Sequence, residues 1–138
     1  MSWESLKLTD HFALGEFACK GVDCCCHGAV LVDDRLPLLL EEIRAVTGAP
    51  IFITSGFRCD AYNARVGGHP ASFHRVGMAA DMTSFILRDN LEDWAIKIGQ
   101  IAEARLGERA SNVIFYPKRR FIHVDCGHRI AELVRGKD

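Results

Sequence analysis

Apolar residues recur at helical spacing in two long stretches of this chain, and these stretches limit the folds open to it. The first stretch contains Leu36, Leu39, Leu40, Ile43 and Val46, and the second contains Leu91, Trp94, Ala95, Ile98, Ile101, Ala102 and Leu106. Asp33 or Asp34 can begin the first helix, and Gly48 can end it. Asn90 and Gly107 are suited to the same roles in the second helix.

Short apolar runs between and after these helices predict strands. Residues 51–54 and residues 78–85 each fit a buried strand. Residues 112–116 and 120–125 fit two strands joined by a short turn, which predicts a hairpin. A short helix is expected over residues 60–65.

The order of these elements favours the α+β class. Helices and strands are mixed without regular βαβ alternation, so we expect one compact domain over residues 1–138, with a central, mostly antiparallel sheet flanked by helices. Residues 19–32 and 69–78 have no apolar period and are expected to be loops. Two minor elements are also expected, a helical turn that begins at Thr9 and a terminal helix over residues 130–134.

The composition is that of an ordinary globular protein and argues against several classes of partner. Hydrophobic residues make up 49% of the 138 residues and charged residues 25%, and the formal net charge is −1. This balance provides no field toward nucleic acid, and Lys118-Arg119-Arg120 is too short for a basic patch. The first residues contain no secretory signal, and no apolar run could span a bilayer. We therefore expect a monomer made in the cytoplasm, with no nucleic-acid partner and no membrane insertion.

Two motifs contain residues suited to binding a metal ion. They are Ser72-Phe-His74-Arg-Val-Gly77-Met-Ala79-Ala-Asp81 and Phe121-Ile-His123-Val-Asp125. Two imidazoles and a carboxylate suit zinc, and they leave the fourth position of a tetrahedral site to water. Bound zinc lowers the pKa of that water to about 7, which makes it a nucleophile. Because side chains alternate along a strand, Asp125 is expected on the same face as His123.

Each of these residues also has an ordinary structural interpretation. A single histidine is more often a surface or core residue than a ligand, Asp81 could cap a turn, and Asp125 could simply end a strand. From the spacing alone, a metal site is therefore the less frequent outcome.

Taken together, however, the motifs resemble those of the zinc D-Ala-D-Ala carboxypeptidase family, peptidase M15, which includes D-Ala-D-Ala dipeptidases and phage endolysins. The similarity includes Ser72-x-His74-x-x-Gly77-x-Ala79-x-Asp81 and Phe121-Ile-His123-Val-Asp125-x-Gly127. It extends to Ile53-Thr54-Ser55-Gly56-Phe57-Arg58, Tyr62-Asn63 and Gly67-Gly68. The opening His11-Phe-x-Leu-x-Glu16-Phe is similar to that of a branch that occurs elsewhere as a carboxy-terminal peptidase domain. The resemblance covers nearly the whole chain.

The resemblance implies a fold similar to D-Ala-D-Ala peptidases and hedgehog signalling domains, with one zinc ion held by His74, Asp81 and His123. It also implies that Arg58 binds the substrate through a terminal carboxylate, which the planar donors of a guanidinium match well. Asn63 and Ser72 are further expected substrate-binding residues, although Ser72 is better suited to orienting a metal ligand than to attacking a bond. Arg58 could instead be solvated or paired with a nearby acid.

The chain departs from the family at the position of the general base. Several branches have a carboxylate three residues before the last zinc histidine, and Arg120 occupies that position here. Asp125 is the first alternative catalytic base, because it shares a strand face with His123. Its rival role is to hold that imidazole in place. His69 and His128 are lesser alternatives.

The cysteines suggest a second metal site. Cys19, Cys24, Cys25 and Cys26 lie within eight positions, and His27 follows them. Thiolates and an imidazole suit structural zinc, so a second ion could be held by Cys19, Cys24, Cys26 and His27. The spacing lacks the paired Cys-x-x-Cys motifs of zinc ribbons, and reduced thiols or a disulfide remain alternatives. Cys59 and Cys126 are expected to be small, partly buried residues.

Two functional hypotheses follow. The first is a zinc metallopeptidase that hydrolyses peptide bonds next to D-amino acids in peptidoglycan or its precursors. Its substrate would be a stem peptide or muropeptide, and it would act as a D,D-carboxypeptidase or as a phage-type endolysin released to the cell wall. The second is a non-catalytic, zinc-containing module that binds the cell wall or has a structural role, which Arg120 slightly favours.

Overall fold

A computed structural model describes residues 2–21, 26–107, 112–127 and 133–135 of the chain. Its architecture is α+β, with helices against a mostly antiparallel central sheet, and this confirms the fold class predicted from the sequence. That all of residues 1–138 form a single domain stays a prediction.

A small hairpin lies near the amino end. β1 (Lys7–Thr9) pairs antiparallel with β2 (Phe12–Ala13), and a 3-10 helix (Leu14–Phe17) follows. The prediction of a helical turn beginning at Thr9 is therefore wrong, because Thr9 pairs with Phe12 across the hairpin. The helical turn of this region comes five residues later.

The described residues contain four α-helices: α1 (Arg35–Thr47), α2 (Asp60–Arg65), α3 (Phe85–Asp89) and α4 (Leu91–Leu106). α1 ends as predicted at Gly48, whose φ of 67° is left-handed and whose N–H donates to the Arg44 carbonyl at 3.0 Å. The sequence did not predict α3, which Ser84 caps by accepting from the Leu87 N–H at 3.0 Å. Of these described helices, none is both long enough and apolar enough to cross a membrane.

Within the described parts of the chain, the main sheet has five strands: β3 (Phe52–Ser55), β4 (Ala79–Thr83), β5 (Asn112–Tyr116), β6 (Phe121–Asp125) and β7 (Leu133–Arg135). Their order across the sheet is β3-β4-β6-β5-β7. The pairs from β3 to β5 are antiparallel, whereas β7 runs parallel to β5. The predicted hairpin is β5 and β6.

The terminal helix predicted over residues 130–134 is wrong at Leu133 and Val134, which are part of β7. These two residues pair with Val113 and Ile114 of β5, so tertiary pairing determines their conformation. Residues 130–132 lie outside the described part of the chain.

One face of the sheet packs with α1 and α4 in a single hydrophobic core. Its buried members include Leu36, Leu39, Leu40, Ile43, Ala80, Met82, Ala95, Ile98, Ala102, Val113, Ile122 and Val124. Burying a large apolar side chain contributes about 1.5–3 kcal/mol, so this face fixes the strand register. Because strand side chains alternate, Asp81 of β4 and His123 of β6 lie on the opposite face.

Candidate metal centre

The register of two neighbouring strands brings Asp81 and His123 together. The Cα atoms of Asp81 and His123 are direct partners in the antiparallel pair of β4 and β6. Residues opposite each other in such a pair have side chains on one face, about 5 Å apart. The third candidate ligand, His74, lies in a 3-10 helix (Phe73–Val76) that precedes β4.

The three side chains converge on one oxygen of Asp81. Nε2 of His74 lies 3.2 Å from Oδ1 of Asp81, and Nδ1 of His123 lies 3.0 Å from the same oxygen. The three potential ligand atoms all lie within 4.8 Å of one another. His74 is 2% exposed and Asp81 6%, so the cluster is set into the protein and not on an open surface.

The outer nitrogen of each histidine is held by a second group. Nδ1 of His74 donates to the Gly56 carbonyl at 2.7 Å, and Nε2 of His123 donates to Oδ2 of Asp125 at 2.8 Å. A neutral imidazole with its proton on the outer nitrogen has a lone pair on the inner one. Both rings are therefore oriented to offer the inner nitrogen to a cation.

Asp125 has both carboxylate oxygens in hydrogen bonds. One accepts from His123 and the other accepts from the Gly127 N–H at 3.2 Å, and Asp125 is 0% exposed. The alternation of β6 therefore brings Asp125 to the face of His123, as the sequence predicts.

Arg58 forms a bridge between Asp81 and the region before α2. Its Nη2 donates to Oδ2 of Asp81 at 3.0 Å, and its Nε donates to Oγ of Ser55 at 2.9 Å. A longer contact of 3.4 Å joins Nη1 to Oδ1 of Asn63. Asp81 thus has one oxygen toward the histidines and the other toward Arg58.

Asn63 and Ser72 make contacts that position their neighbours. Asn63 is 2% exposed, and its Nδ2 donates to the His69 carbonyl at 2.9 Å. A side chain at Gly68 would collide with the Asn63 amide, which explains why this position needs glycine. Oγ of Ser72 accepts from the His74 N–H at 3.2 Å and caps the short helix that carries His74.

The electrostatics of the cluster keep Asp81 ionised. Burial alone raises the pKa of Asp81, but hydrogen bonds from His123 and His74 and their charge outweigh it, so the pKa lies well below its ordinary range. Burial lowers the pKa of His123, but hydrogen bonds to Asp125 and Asp81 outweigh burial and raise it to about 9, so a metal ion bound to this ring would displace a proton from it. Positive charge beside the buried carboxylate of Asp81 thus stabilises its ionised form.

The donor set and its spacing fit zinc. Bond lengths of about 2.0–2.1 Å in a tetrahedral zinc site separate two ligand atoms by about 3.3 Å. The two separations around Oδ1 of Asp81 are 3.2 and 3.0 Å, close to this value. His74, Asp81 and His123 could therefore hold one zinc ion after only a small adjustment.

The cluster opens onto a cleft of about 910 Å³. Its lining includes Arg58, Gly68, His69, Ser72, Phe73, Ile114, Tyr116, Arg119 and Phe121. Among the described residues that line it, Asp81 is the sole carboxylate. A separate cavity of about 870 Å³ between α1 and α4 shares no residue with this cleft.

The remaining candidate bases have different positions. Arg120 lies in the turn before β6 with a φ of 57°, and its carbonyl accepts from the Thr83 hydroxyl at 3.2 Å. Nδ1 of His69 accepts from the Ala71 N–H at 2.9 Å, so the neutral ring has its proton on Nε2. His128 lies outside the described residues. The sequence did not single out Arg119, Tyr116 or Phe73 as cleft residues, since the first two lie outside both ligand motifs and Phe73 lies between two motif residues without being a potential ligand.

A second cluster of potential metal ligands comprises Cys19, Cys26 and Cys59. The sequence prediction included Cys19 and Cys26 but missed Cys59, which is distant along the chain. His27, also predicted, is exposed and does not belong to the described cluster, and Cys24 lies outside the described residues.

Comparison with known proteins agrees with these geometric observations. A search of curated proteins found no significant match. The model of the family described as Peptidase M15 matches residues 10–125, which is most of the chain and contains both motifs. This confirms the resemblance noted in the sequence, and the chain belongs to the peptidase M15 family, whose members are zinc-dependent peptidases.

Proposed function

We propose that this protein is a zinc metallopeptidase that hydrolyses peptide bonds next to D-amino acids in peptidoglycan or its precursors. The observation that carries the proposal is the convergence of His74, Asp81 and His123 at a cleft large enough for a short peptide. Three protein ligands beside a cleft are typical of catalytic zinc, whereas structural zinc usually has four. Family membership supports a peptide as the substrate.

The protein's own contribution to catalysis is a rigid set of ligands. Zinc in such a site polarises a carbonyl and lowers the pKa of water. The Gly56 carbonyl and Asp125 hold the two imidazole rings, and Arg58 holds the free oxygen of Asp81. These outer contacts keep the three ligand atoms aimed at one point while substrates exchange.

Arg58 also has donors to spare for a substrate. A guanidinium has five N–H groups, and the contacts with Ser55, Asn63 and Asp81 use three of them. The side chain is 14% exposed and lines the cleft. Two N–H groups therefore remain for the carboxylate of a peptide, which supports carboxypeptidase action on a D-Ala-D-Ala terminus. Endopeptidase action of the endolysin type would leave this carboxylate contact unused.

We assign Asp125 a positioning role. Its two oxygens already accept hydrogen bonds, and its side chain is fully buried. A general base must reach the proton that it removes, within about 3 Å or through one water. These contacts support orientation of His123 over proton transfer, although loss of activity at saturating zinc in an Asp125 variant would restore the base assignment.

A second candidate function is a non-catalytic, zinc-containing module that binds cell wall. The observation that favours it is the composition of the cleft, because its described lining has no carboxylate other than Asp81. Such a module would bind muropeptides without cleaving them.

Incubation of the zinc-loaded full chain with purified muropeptides tests both functions, with products identified by mass spectrometry. We expect loss of a terminal D-alanine or cleavage within the stem peptide, abolished in His74→Ala. His11→Ala is the matched control, because His11 is half exposed and bonds to Glu41 away from the cleft. Binding of muropeptide without products would reject the peptidase and favour the module.

A further inference from the structure

The three cysteines of the second cluster come from three separate segments. Cys19 follows the 3-10 helix Leu14–Phe17, Cys26 lies in a turn, and Cys59 precedes α2. Their sulfur atoms all lie within 4.8 Å of one another, and the Sγ atoms of Cys19 and Cys59 are 3.8 Å apart. None of the three lines the peptidase cleft.

The sulfur spacing fits a metal better than a disulfide. Zinc–sulfur bonds of about 2.3 Å in a tetrahedral site separate two sulfurs by about 3.8 Å. A disulfide requires about 2.05 Å. The separation of Cys19 and Cys59 equals the tetrahedral value, and a third thiol lies within reach of both.

Backbone hydrogen bonds link Cys19 and Cys26 through Ala29, and a separate one holds Cys59. The Cys19 N–H donates to the Ala29 carbonyl at 2.9 Å, and the Ala29 N–H donates to the Cys26 carbonyl at 3.1 Å. These bonds connect Cys19 to Cys26 through Ala29. Sγ of Cys59 accepts from the Tyr62 N–H at 3.4 Å, which fixes the third sulfur at the start of α2.

We propose that Cys19, Cys26 and Cys59 bind a second zinc ion whose role is structural. Three thiolates provide three corners of a tetrahedron, which leaves one corner for a further protein ligand. The ion would link the backbone at Cys19 and Cys26 to the start of α2. Zinc and related thiophilic cations are the expected ions, because thiolate ligands favour them over calcium or magnesium.

The position of the cluster also links it to the peptidase site. Cys59 directly follows Arg58, and the Arg58 N–H donates to the His74 carbonyl at 3.0 Å. On the other side, the Phe57 N–H donates to the Phe17 carbonyl at 2.8 Å, two residues before Cys19. An ion at the cluster would therefore link the segment of Phe17 and Cys19 to the segment of Phe57 and Cys59. The second segment also contains Arg58, whose backbone is bonded to His74.

Cobalt substitution in the full-length wild-type protein tests the proposal without any mutation. Thiolate ligands give cobalt an intense near-ultraviolet charge-transfer band that imidazole and carboxylate ligands do not. We expect this band in the wild type and in His74→Ala, which removes a ligand of the other site alone. Absence of the band in folded, cobalt-loaded wild type would overturn the proposal, and so would a Cys19–Cys59 disulfide in protein purified under reducing conditions.

Metal analysis of two cysteine variants provides the second measurement. We expect the zinc content to fall from about two ions per chain to about one in Cys59→Ser. Cys126→Ser is the matched control, because Cys126 is buried but lies outside the cluster and donates to the Met78 carbonyl. Equal zinc content in the two variants would overturn the proposal. Because muropeptide hydrolysis is a separate readout, an inactive protein with two ions would reject the peptidase function alone.

Discussion

The histidine–aspartate cluster and the cysteine cluster are held in place by different means. Asp81 and His123 are set by the register of two central strands, and all three ligands have an outer hydrogen-bond partner. The cysteines lie outside regular strand pairing: backbone bonds link Cys19 and Cys26 through Ala29, and the bond from Phe57 to Phe17 brings Cys59 near them.

This difference indicates two different roles for metal. A site with ligands fixed by the sheet and by outer partners keeps its geometry when substrate enters and leaves, which catalysis requires. A site assembled from separate segments ties them together when it binds a metal, and the binding energy then stabilises the fold. The first cluster lines a cleft and the second does not, which agrees with this division.

Asp81→Ala should have the largest effect, because it removes the oxygen that both histidines face and leaves Arg58 without its acidic partner. We expect muropeptide hydrolysis to fall to the rate without enzyme, while one thiolate-bound zinc ion per chain is retained. Asp60→Ala is the control, since Asp60 is exposed and pairs with Arg75. Loss of both ions in Asp81→Ala would break the division between the clusters.

Cys59→Ser should reduce stability more than activity at saturating zinc. We expect a loss of about 3 kcal/mol in the free energy of unfolding, or a fall of about 10 °C in Tm, because a metal ion no longer joins the segments of Cys19, Cys26 and Cys59. A chelator should cause a similar shift in the wild type. Cys126→Ser should cost about 1 kcal/mol. Thermal unfolding with and without zinc measures these shifts, and a zinc-independent Tm in the wild type would contradict the structural role.

The sequence predicted the first cluster well because its information is local. The segment with His74 and Asp81 and the segment with His123 and Asp125 each form a recognisable motif, and the predicted strands become β4 and β6. Alternation along β6 was sufficient to expect Asp125 beside His123. The sequence raised pairing of Arg58 with a nearby acid only as an alternative, and it did not identify Asp81 as the partner because this contact depends on how the segment after β3 folds back.

The second cluster was predicted only in part because its information is not local. Cys26 and Cys19 are near in sequence, but Cys59 joins them only through the packing of residues 56–59 against Phe17. A side chain at Gly56 would collide with the Phe17 backbone, so this approach depends on a glycine that belongs to another motif. Similarly, β7 was missed because its conformation depends on pairing with β5.

Asp125→Asn tests whether outer partners tune the first cluster. An amide cannot accept from both His123 and Gly127 as the carboxylate does, so we expect zinc affinity to fall about 10–100-fold. Excess zinc should then restore most of the hydrolysis rate if Asp125 is a positioning residue. Titration of activity against free zinc measures this, and a rate that stays low at saturating zinc would make Asp125 the base.

Arg58→Lys distinguishes substrate binding from ligand support. A lysine retains the charge but loses the planar donors, so KM for a peptide with a free terminal carboxylate should rise about 10-fold at saturating zinc. KM for the same peptide with a terminal amide should change little. Equal effects on both peptides would indicate that Arg58 acts through Asp81 and not through the substrate carboxylate.

Asp33→Asn should have the smallest effect and compares a metal fastening with an ordinary ion pair. The Asp33 carboxylate accepts from the Arg35 guanidinium at 2.9 Å, and the Asp33 N–H donates to the Gly77 carbonyl at 2.8 Å. The hydrogen bond from Arg35 holds the pKa of Asp33 below its ordinary 3.8, despite partial burial. A lowered pKa stabilises the fold above pH 3.8, and this contribution is lost as the pH falls below that value.

Because the pair is partly exposed, we expect Asp33→Asn to cost about 0.5 kcal/mol at pH 7 and less at pH 3. Urea unfolding at the two pH values measures the difference. A cost equal to that of Cys59→Ser would show that the metal contributes no more to the free energy of unfolding than this ion pair does.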